Sequence, residues 1–206
     1  MAVEIIDCEQ GTPAWHEARK GIVTASNFSK ILAKGEGKVR ATYMRTLAGE
    51  IITGAAHEGY KSQSMERGNA MEAEARRFYS LMSDSDPEQV GFIRNGKVGY
   101  SPDSLVGASG LLEIKTQQPD LLIETIERDT FPSVHVAQCQ GGLWVAEREW
   151  IDFVSYWPGL PPFIIREHRD EEYIAKLSAA VDEFNDELAH TVERIRAIQP
   201  KQLEAA

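Results

Sequence analysis

The sequence predicts an α/β chain with a mixed central sheet flanked by helices. Three observations carry this reading: strand-like runs on either side of Asn95-Gly96, the apolar run Leu111-Leu112-Glu113-Ile114-Lys115, and helical patterns before and after them. In chain order, Gln10 to Gly21 reads as a turn, Gly11-Thr12-Pro13, entering a short helix. Thr24-Ala25-Ser26-Asn27 offers N-cap residues to a second helix running to about Ala33. The glycine–lysine stretch 34–38 is expected to be a mobile loop, followed by a helix through about Thr53. Met65 to Met82 reads as a helix because Met71, Ala75, Phe78 and Met82 fall on one stripe. Val90 to Arg94 and Lys97 to Tyr100 form a tight hairpin. After a glycine-containing loop at 104–110 comes the strand with Glu113 and Lys115, then helices near 119–128 and 134–147. Trp150 to Tyr156 and Phe163 to Glu167 are further strands, separated by the breaker Pro158-Gly159-Leu160-Pro161-Pro162. From about Glu171 a long amphipathic helix carries Tyr173, Leu177, Val181, Phe184, Leu188 and Val192 on one side.

Composition narrows the function classes. The 206 residues suit one domain, and 42% hydrophobic with 26% charged residues is the balance of an ordinary soluble protein. No apolar run approaches the ~20 residues of a membrane span, and the N-terminal residues do not read as a signal peptide. Two cysteines, Cys8 and Cys139, supply neither a disulfide framework nor a four-cysteine cluster, so the expected home is a reducing cytoplasm. A net charge of −10 speaks at first against a polyanionic partner. Its distribution is uneven: residues 19–45 hold seven basic groups against Glu36 alone, whereas 170–193 hold eight acidic groups against Lys176. Phosphates respond to the local field, so charge leaves the question of a nucleic-acid partner open.

Chemistry concentrates in three segments: Ser101-Pro102-Asp103, Glu113-Ile114-Lys115 and Gln138-Cys139-Gln140. Residues two apart on a strand share a face, so Glu113 and Lys115 project together while Leu112 and Ile114 point away. Alone, this pair is a surface salt bridge. With Asp103 it becomes a set able to hold Mg²⁺ beside a phosphate, because Mg²⁺ is usually held by one or two carboxylates plus substrate oxygens. The backbone carbonyl of Ile114 could add another oxygen, and Lys115 could stabilise developing negative charge. Glu72, four residues after Gly68 on the helix, is a third candidate carboxylate, with Glu66 and Glu74 as competitors. Gln138 and Gln140 are about 200° apart on a helix and cannot face one point, whereas His135 shares the Gln138 face.

Trp15-His16, Arg19, Gly21, Thr24-Ala25-Ser26, Gly68 with Glu72, Ser101-Pro102-Asp103, Glu113-Ile114-Lys115, Ala137-Gln138-Cys139-Gln140 and Trp144-Val145 occur in that order. The chain thereby resembles the phage lambda-type alkaline exonucleases, or YqaJ-like viral recombinases, over roughly residues 9 to 195. The resemblance implies a restriction-endonuclease-like, PD-(D/E)XK, nuclease fold. It divides the chain into a basic helical N-terminal part at 9–60, a catalytic core at 65–167 and the C-terminal helix at about 171–198. It further implies a Mg²⁺-dependent exonuclease, with Mn²⁺ as a substitute, that degrades the 5′-ended strand of double-stranded DNA and leaves a 3′ single strand for annealing. Asp103, Glu113 and Ile114 would then hold metal, Lys115 would orient the water and Glu72 would support the second metal or the nucleophile. Arg19, Ser26, Ser101 and Gln138 would line a pocket for the terminal 5′-phosphate. The implied partners are DNA ends, a phage-type single-strand annealing protein and two further copies of the chain in a ring-shaped homotrimer, with no membrane. The location would be the host bacterial cytoplasm if a phage or prophage encodes the chain. One departure is His135, which stands where the family prototype has an aromatic residue.

Two other readings compete, ahead of a third, a small-molecule phosphohydrolase, for which the sequence offers no sign of a nucleotide pocket. One is an endonuclease or repair nuclease of the same fold, although its iron–sulfur members need four cysteines. The other is a non-catalytic DNA-end-binding scaffold, against which the intact Asp103, Glu113 and Lys115 argue.

Overall fold

A computed structural model describes residues 2–33, 37–56 and 63–198, the side chains of 63–70 excepted. Part of the expected loop at 34–38 and the surroundings of Glu66 and Gly68 therefore lie outside the described residues. The strands are β1 (Glu4–Ile6), β2 (Val23–Thr24), β3 (Pro87–Glu88), β4 (Phe92–Asn95), β5 (Val98–Tyr100), β6 (Ser104–Val106), β7 (Gly110–Thr116), β8 (Trp150–Tyr156) and β9 (Phe163–His168). The helices are α1 (Pro13–Arg19), α2 (Phe28–Leu32), α3 (Lys38–Thr53), α4 (Gln63–Ser83), α5 (Pro119–Arg128), α6 (Val136–Ala146) and α7 (Glu171–Arg196).

The strands make two mixed sheets, β1-β4-β5-β2 and β3-β6-β7-β8-β9, rather than one. The chain passes from the first sheet to the second through Ser101-Pro102-Asp103, where Pro102 has no N–H to offer a ladder. In the second sheet β7 runs parallel to β8 along its whole length, and β6 pairs antiparallel with the start of β7. The expected loop at 104–110 thus begins as a strand. Ser104, Leu105 and Val106 are buried and hydrogen-bond to β7, too short a run to carry a visible period. The helix foreseen after Thr24 opens as a 3₁₀ turn at Ala25–Asn27, with no side-chain cap from Thr24.

Alternation along β7 builds two apolar layers. Leu111 joins a large core with α2, α3, α6 and α7, whereas Leu112 and Ile114 join Ala75 and Tyr79 of α4 on the other face. The α4 stripe differs from the expected one. Ala75 and Tyr79 are buried, while Phe78 is 43% and Met82 64% exposed. Tyr79 turns inward because its hydroxyl donates to buried Asp152 Oδ2 at 2.6 Å. On the opposite layer α6 approaches closely at Gly142, where a Cβ would stand 2.7 Å from the Tyr100 ring. Starting at its Asp170 cap, α7 buries Leu177, Val181, Phe184, Leu188 and Val192 as the period requires. The oppositely charged stretches are neighbours: α3 packs on α7, and Arg40 grips Glu187 with two bonds of 2.8 and 2.7 Å. Among the described residues no helix is long and apolar enough to cross a membrane.

Candidate active site

Strand register assembles the first part of the site. Ser104 pairs with Leu112, so Asp103 lies beside Glu113, and its Oδ2 accepts the Ile114 N–H at 2.5 Å. Glu113 is buried. Its Oε1 accepts from Lys115 Nζ and from Gln138 Nε2, each at 2.5 Å, and its Oε2 accepts the Tyr100 hydroxyl at 2.6 Å. Gln138, expected in the phosphate pocket with Arg19, thus hydrogen-bonds to the same Glu113 oxygen as Lys115.

From the other layer α4 delivers Glu72 to the same rim. It is partly exposed and paired with Arg76, four residues on. Arg76 also donates Nε to Ser104 Oγ at 2.9 Å and Nη2 to the Asp103 carbonyl at 3.2 Å, tying α4 to the segment that carries Asp103. Its competitor Glu74 is exposed. Glu72, Ile114 and Lys115 open onto a cleft of about 890 Å³ that continues past Leu121 and Arg128 to His135.

A second constellation adjoins the first. Ser101, two residues before Asp103, accepts at Oγ from Trp15 Nε1 at 2.8 Å and from Arg19 Nη1 at 3.1 Å. The Arg19 guanidinium lies 4.0 Å from the centre of the Trp15 ring, a stacked cation. Because β2 runs parallel to β5, with Thr24 opposite Gly99, the chain leaves both strands at the same end of the sheet. Ser26 is exposed there, with its Oγ 3.4 Å from Thr24 Oγ1, and makes no hydrogen bond to Ser101.

Electrostatics follow from crowding. Burial, together with Glu113 and Glu72, pushes the Asp103 carboxyl well above the usual carboxylate range. Burial also raises Glu72, against the pull of Arg76. Burial alone would depress Lys115, but the Glu113 and Asp103 carboxylates outweigh it and hold the ammonium above its ordinary value. His135, desolvated and near Lys115, is lowered to about 4. Burial opposes the charge on Arg19, so an anionic ligand there would meet a poorly solvated cation.

The donor set fits a divalent cation by its own chemistry. The carboxylates of Glu72, Asp103 and Glu113 lie within electrostatic reach of one another, with Arg76 and Lys115 as the paired bases, and the surplus negative charge is part of what lifts Asp103. Among the described residues no three His, Cys, Asp or Glu side chains are grouped so as to hold a metal ion by themselves. Mg²⁺ does not need one, because water and substrate phosphate normally fill most of its shell.

A family model described as a YqaJ-like viral recombinase domain matches residues 14–149. The chain belongs to the YqaJ-like viral recombinase family. Among solved structures it is similar to an alkaline exonuclease, LHK-Exo, from Laribacter hongkongensis. The two are 33% identical with a TM-score of 0.82, over 90% of this chain and 96% of that one. The same protein in complex with dAMP gives a TM-score of 0.84 at the same identity and coverage. A phage related exonuclease from Haemophilus somnus 129PT shares the fold at 16% identity and TM-score 0.64, covering 84% of this chain and 96% of that one. Among curated proteins no match was found. The fold is therefore the restriction-endonuclease-like nuclease fold.

Within this YqaJ-like chain, sequence reasoning missed Tyr100, Arg76 and Gln117. Gln117 Oε1 accepts from Ser155 Oγ at 2.6 Å and Thr125 Oγ1 at 3.1 Å, fastening α5 beside the end of β7. An i,i+4 partner for Glu72 was readable in the sequence as Arg76; the other two contacts arise only from packing. His135 packs against Phe153 in a tilted pair with ring centres 5.1 Å apart, so it fills an aromatic place in the fold. Gln140 is structural: it donates Nε2 to the His168 carbonyl at 2.8 Å and accepts the Asp170 N–H at 2.9 Å.

Proposed function

We propose that this YqaJ-like recombinase is a Mg²⁺-dependent exonuclease that digests the 5′-ended strand of linear double-stranded DNA. It releases 5′-mononucleotides and leaves a 3′ single strand for annealing. One observation carries the reading: Ser101 and Asp103, two residues apart, touch two different constellations, an arginine–tryptophan pocket and a carboxylate–lysine cluster. An exonuclease needs both, one to hold a strand end and one to cut beside it. Family membership and the similarity to an alkaline exonuclease, one of whose structures holds dAMP, support the same activity.

In this mechanism Asp103, Glu113 and the Ile114 carbonyl would hold Mg²⁺, with Glu72 supporting from α4. When bound there, the ion would supply Lewis-acid polarisation of the phosphate and a lowered pKa for water. Lys115 Nζ, held 2.5 Å from Glu113 Oε1, orients the attacking water and offsets charge developing on the scissile phosphate. Gln138 keeps the same carboxylate oxygen fixed. Arg19, with Trp15 and Ser101, holds the terminal 5′-phosphate by charge-assisted hydrogen bonds, and exposed Ser26 adds a hydroxyl at that edge. The working form is a homotrimer around DNA, partnered by a phage-type single-strand annealing protein, in the host bacterial cytoplasm if a phage or prophage encodes the chain. Mn²⁺ can replace Mg²⁺.

Digestion of linear duplexes labelled at either end, with and without 5′-phosphate, tests the reading. Label at the 5′ end should appear first as mononucleotide, phosphorylated ends should be preferred, and Arg19→Ala should erase most of that preference. Cleavage of closed circular duplex, or release from 3′ ends, would replace this reading with an endonuclease or an opposite polarity.

A further inference from the structure

The catalytic cluster holds a fully buried hydroxyl that the proposed mechanism does not use. Tyr100 ends β5, is 2% exposed, and directs its hydroxyl to Glu113 Oε2 at 2.6 Å. The two oxygens of Glu113 are thus treated differently. Oε1 receives Lys115 and Gln138, and Lys115 lines the cleft; Oε2 receives a single phenol embedded in the core. A phenol on a rigid ring, fixed by a strand, is a more exacting anchor than a lysine tip with four rotatable bonds. The surrounding chain is shaped for that ring: at Gly142 a Cβ would stand 2.7 Å from Tyr100 Cε1 and 2.8 Å from Cζ. Helix α6 carries a glycine where the ring passes, and the same helix supplies Gln138 to the other oxygen.

We infer that Tyr100 is a positioning residue for Glu113, fixing the rotation of its carboxylate so that Oε1 is presented toward Lys115 and the cleft. The inference rests on the reading of Glu113 as a metal ligand. A carboxylate allowed to rotate holds a small cation poorly, because Mg²⁺ demands near-octahedral placement of its oxygens. Hydrogen bonds from behind a ligand commonly set its affinity, and their loss typically weakens metal binding by about 10–100-fold.

Tyr100→Phe keeps the ring and removes the one bond. Tyr79→Phe is the matched control, since Tyr79 is equally buried and donates its hydroxyl to a different carboxylate, Asp152, at 2.6 Å. Two quantities are read for each: Mn²⁺ affinity of the DNA-free protein by electron paramagnetic resonance, and the Mg²⁺ half-saturation of cleavage separately from its maximal rate. Tyr100→Phe should weaken Mn²⁺ binding and raise the Mg²⁺ half-saturation by about tenfold or more, with a smaller change in maximal rate. Tyr79→Phe should lower the melting temperature while leaving both metal readouts within about twofold of wild type. A wild-type protein with no saturable Mn²⁺ binding and no Mg²⁺ dependence would remove the metal reading and this inference with it. Normal wild-type binding with Tyr100→Phe unchanged, or with Tyr79→Phe shifted equally, would overturn the inference alone.

Discussion

Asp103, Glu113 and Lys115 are each held by contacts that leave little rotational freedom, and that sets what their removal does. Asp103→Ala or Glu113→Ala should abolish Mg²⁺-dependent cleavage. Lys115→Ala should cost about 10²–10³ in rate while leaving DNA binding near wild type, as expected for loss of one electrostatic stabiliser. Near wild-type turnover would end its assignment. His135 gives a pH signature of its own. Its folded value of about 4 lies below the ordinary 6.5, so the unfolded chain takes up the proton first on acidification. Its contribution is complete above the ordinary value and erodes as pH falls from there toward 4, by on the order of 2–3 kcal/mol at most. His135→Phe keeps an aromatic ring over Phe153 and should flatten this part of the profile. The check is the melting temperature of metal-free protein between about pH 7 and pH 5, where an equally steep fall in the variant would refute it.

At the scale of elements, Gln140 joins the middle of α6 to the turn between β9 and α7. Gln140→Leu leaves the His168 carbonyl and the Asp170 N–H without their partner and should destabilise by about 2 kcal/mol. Its cleavage rate well below the melting temperature should stay near wild type, and a large loss there would make Gln140 part of the chemistry. That role was hidden in the sequence, where a helical glutamine beside Gln138 carries no mark of burial. Elements with a long period were legible: α7, β8 and the Glu113–Lys115 alternation of β7 all lie where their patterns put them. Strands of two or three residues, such as β2, β3 and β6, have no period to read and exist only because a neighbour offers a ladder. The α4 stripe misled because Tyr79 is pulled inward by Asp152, a residue 73 positions away. Asp103 with Glu113 and Lys115 was readable because adjacent strands bring short-range motifs together. The Tyr100, Gln138 and Trp15 contacts were not, because packing between layers sets them.

The whole molecule carries −10, yet its proposed substrate is a polyanion. Part of the basic stretch at 19–45 is already spent internally, since Arg40 is held by Glu187 of the acidic helix. A lone chain should therefore grip duplex DNA weakly, and a closed ring that concentrates the remaining cations on an inner surface would remedy this. Sedimentation at working concentrations should give a mass near three times 23.0 kDa. A stable monomer that digests long duplexes without letting go would defeat the proposal.

The crossing between the two sheets has a further consequence. Ser101 and Asp103 are separated by two main-chain steps, at most about 7 Å of backbone. If the strand end docks at Ser101 and the cut occurs at Asp103, the distance between grip and blade is fixed by the covalent chain itself. Ser101-Pro102-Asp103 then works as a ruler, its proline keeping the gauge stiff. The length of the fragment released would be written in backbone spacing, the same at every turnover and indifferent to which base is being removed.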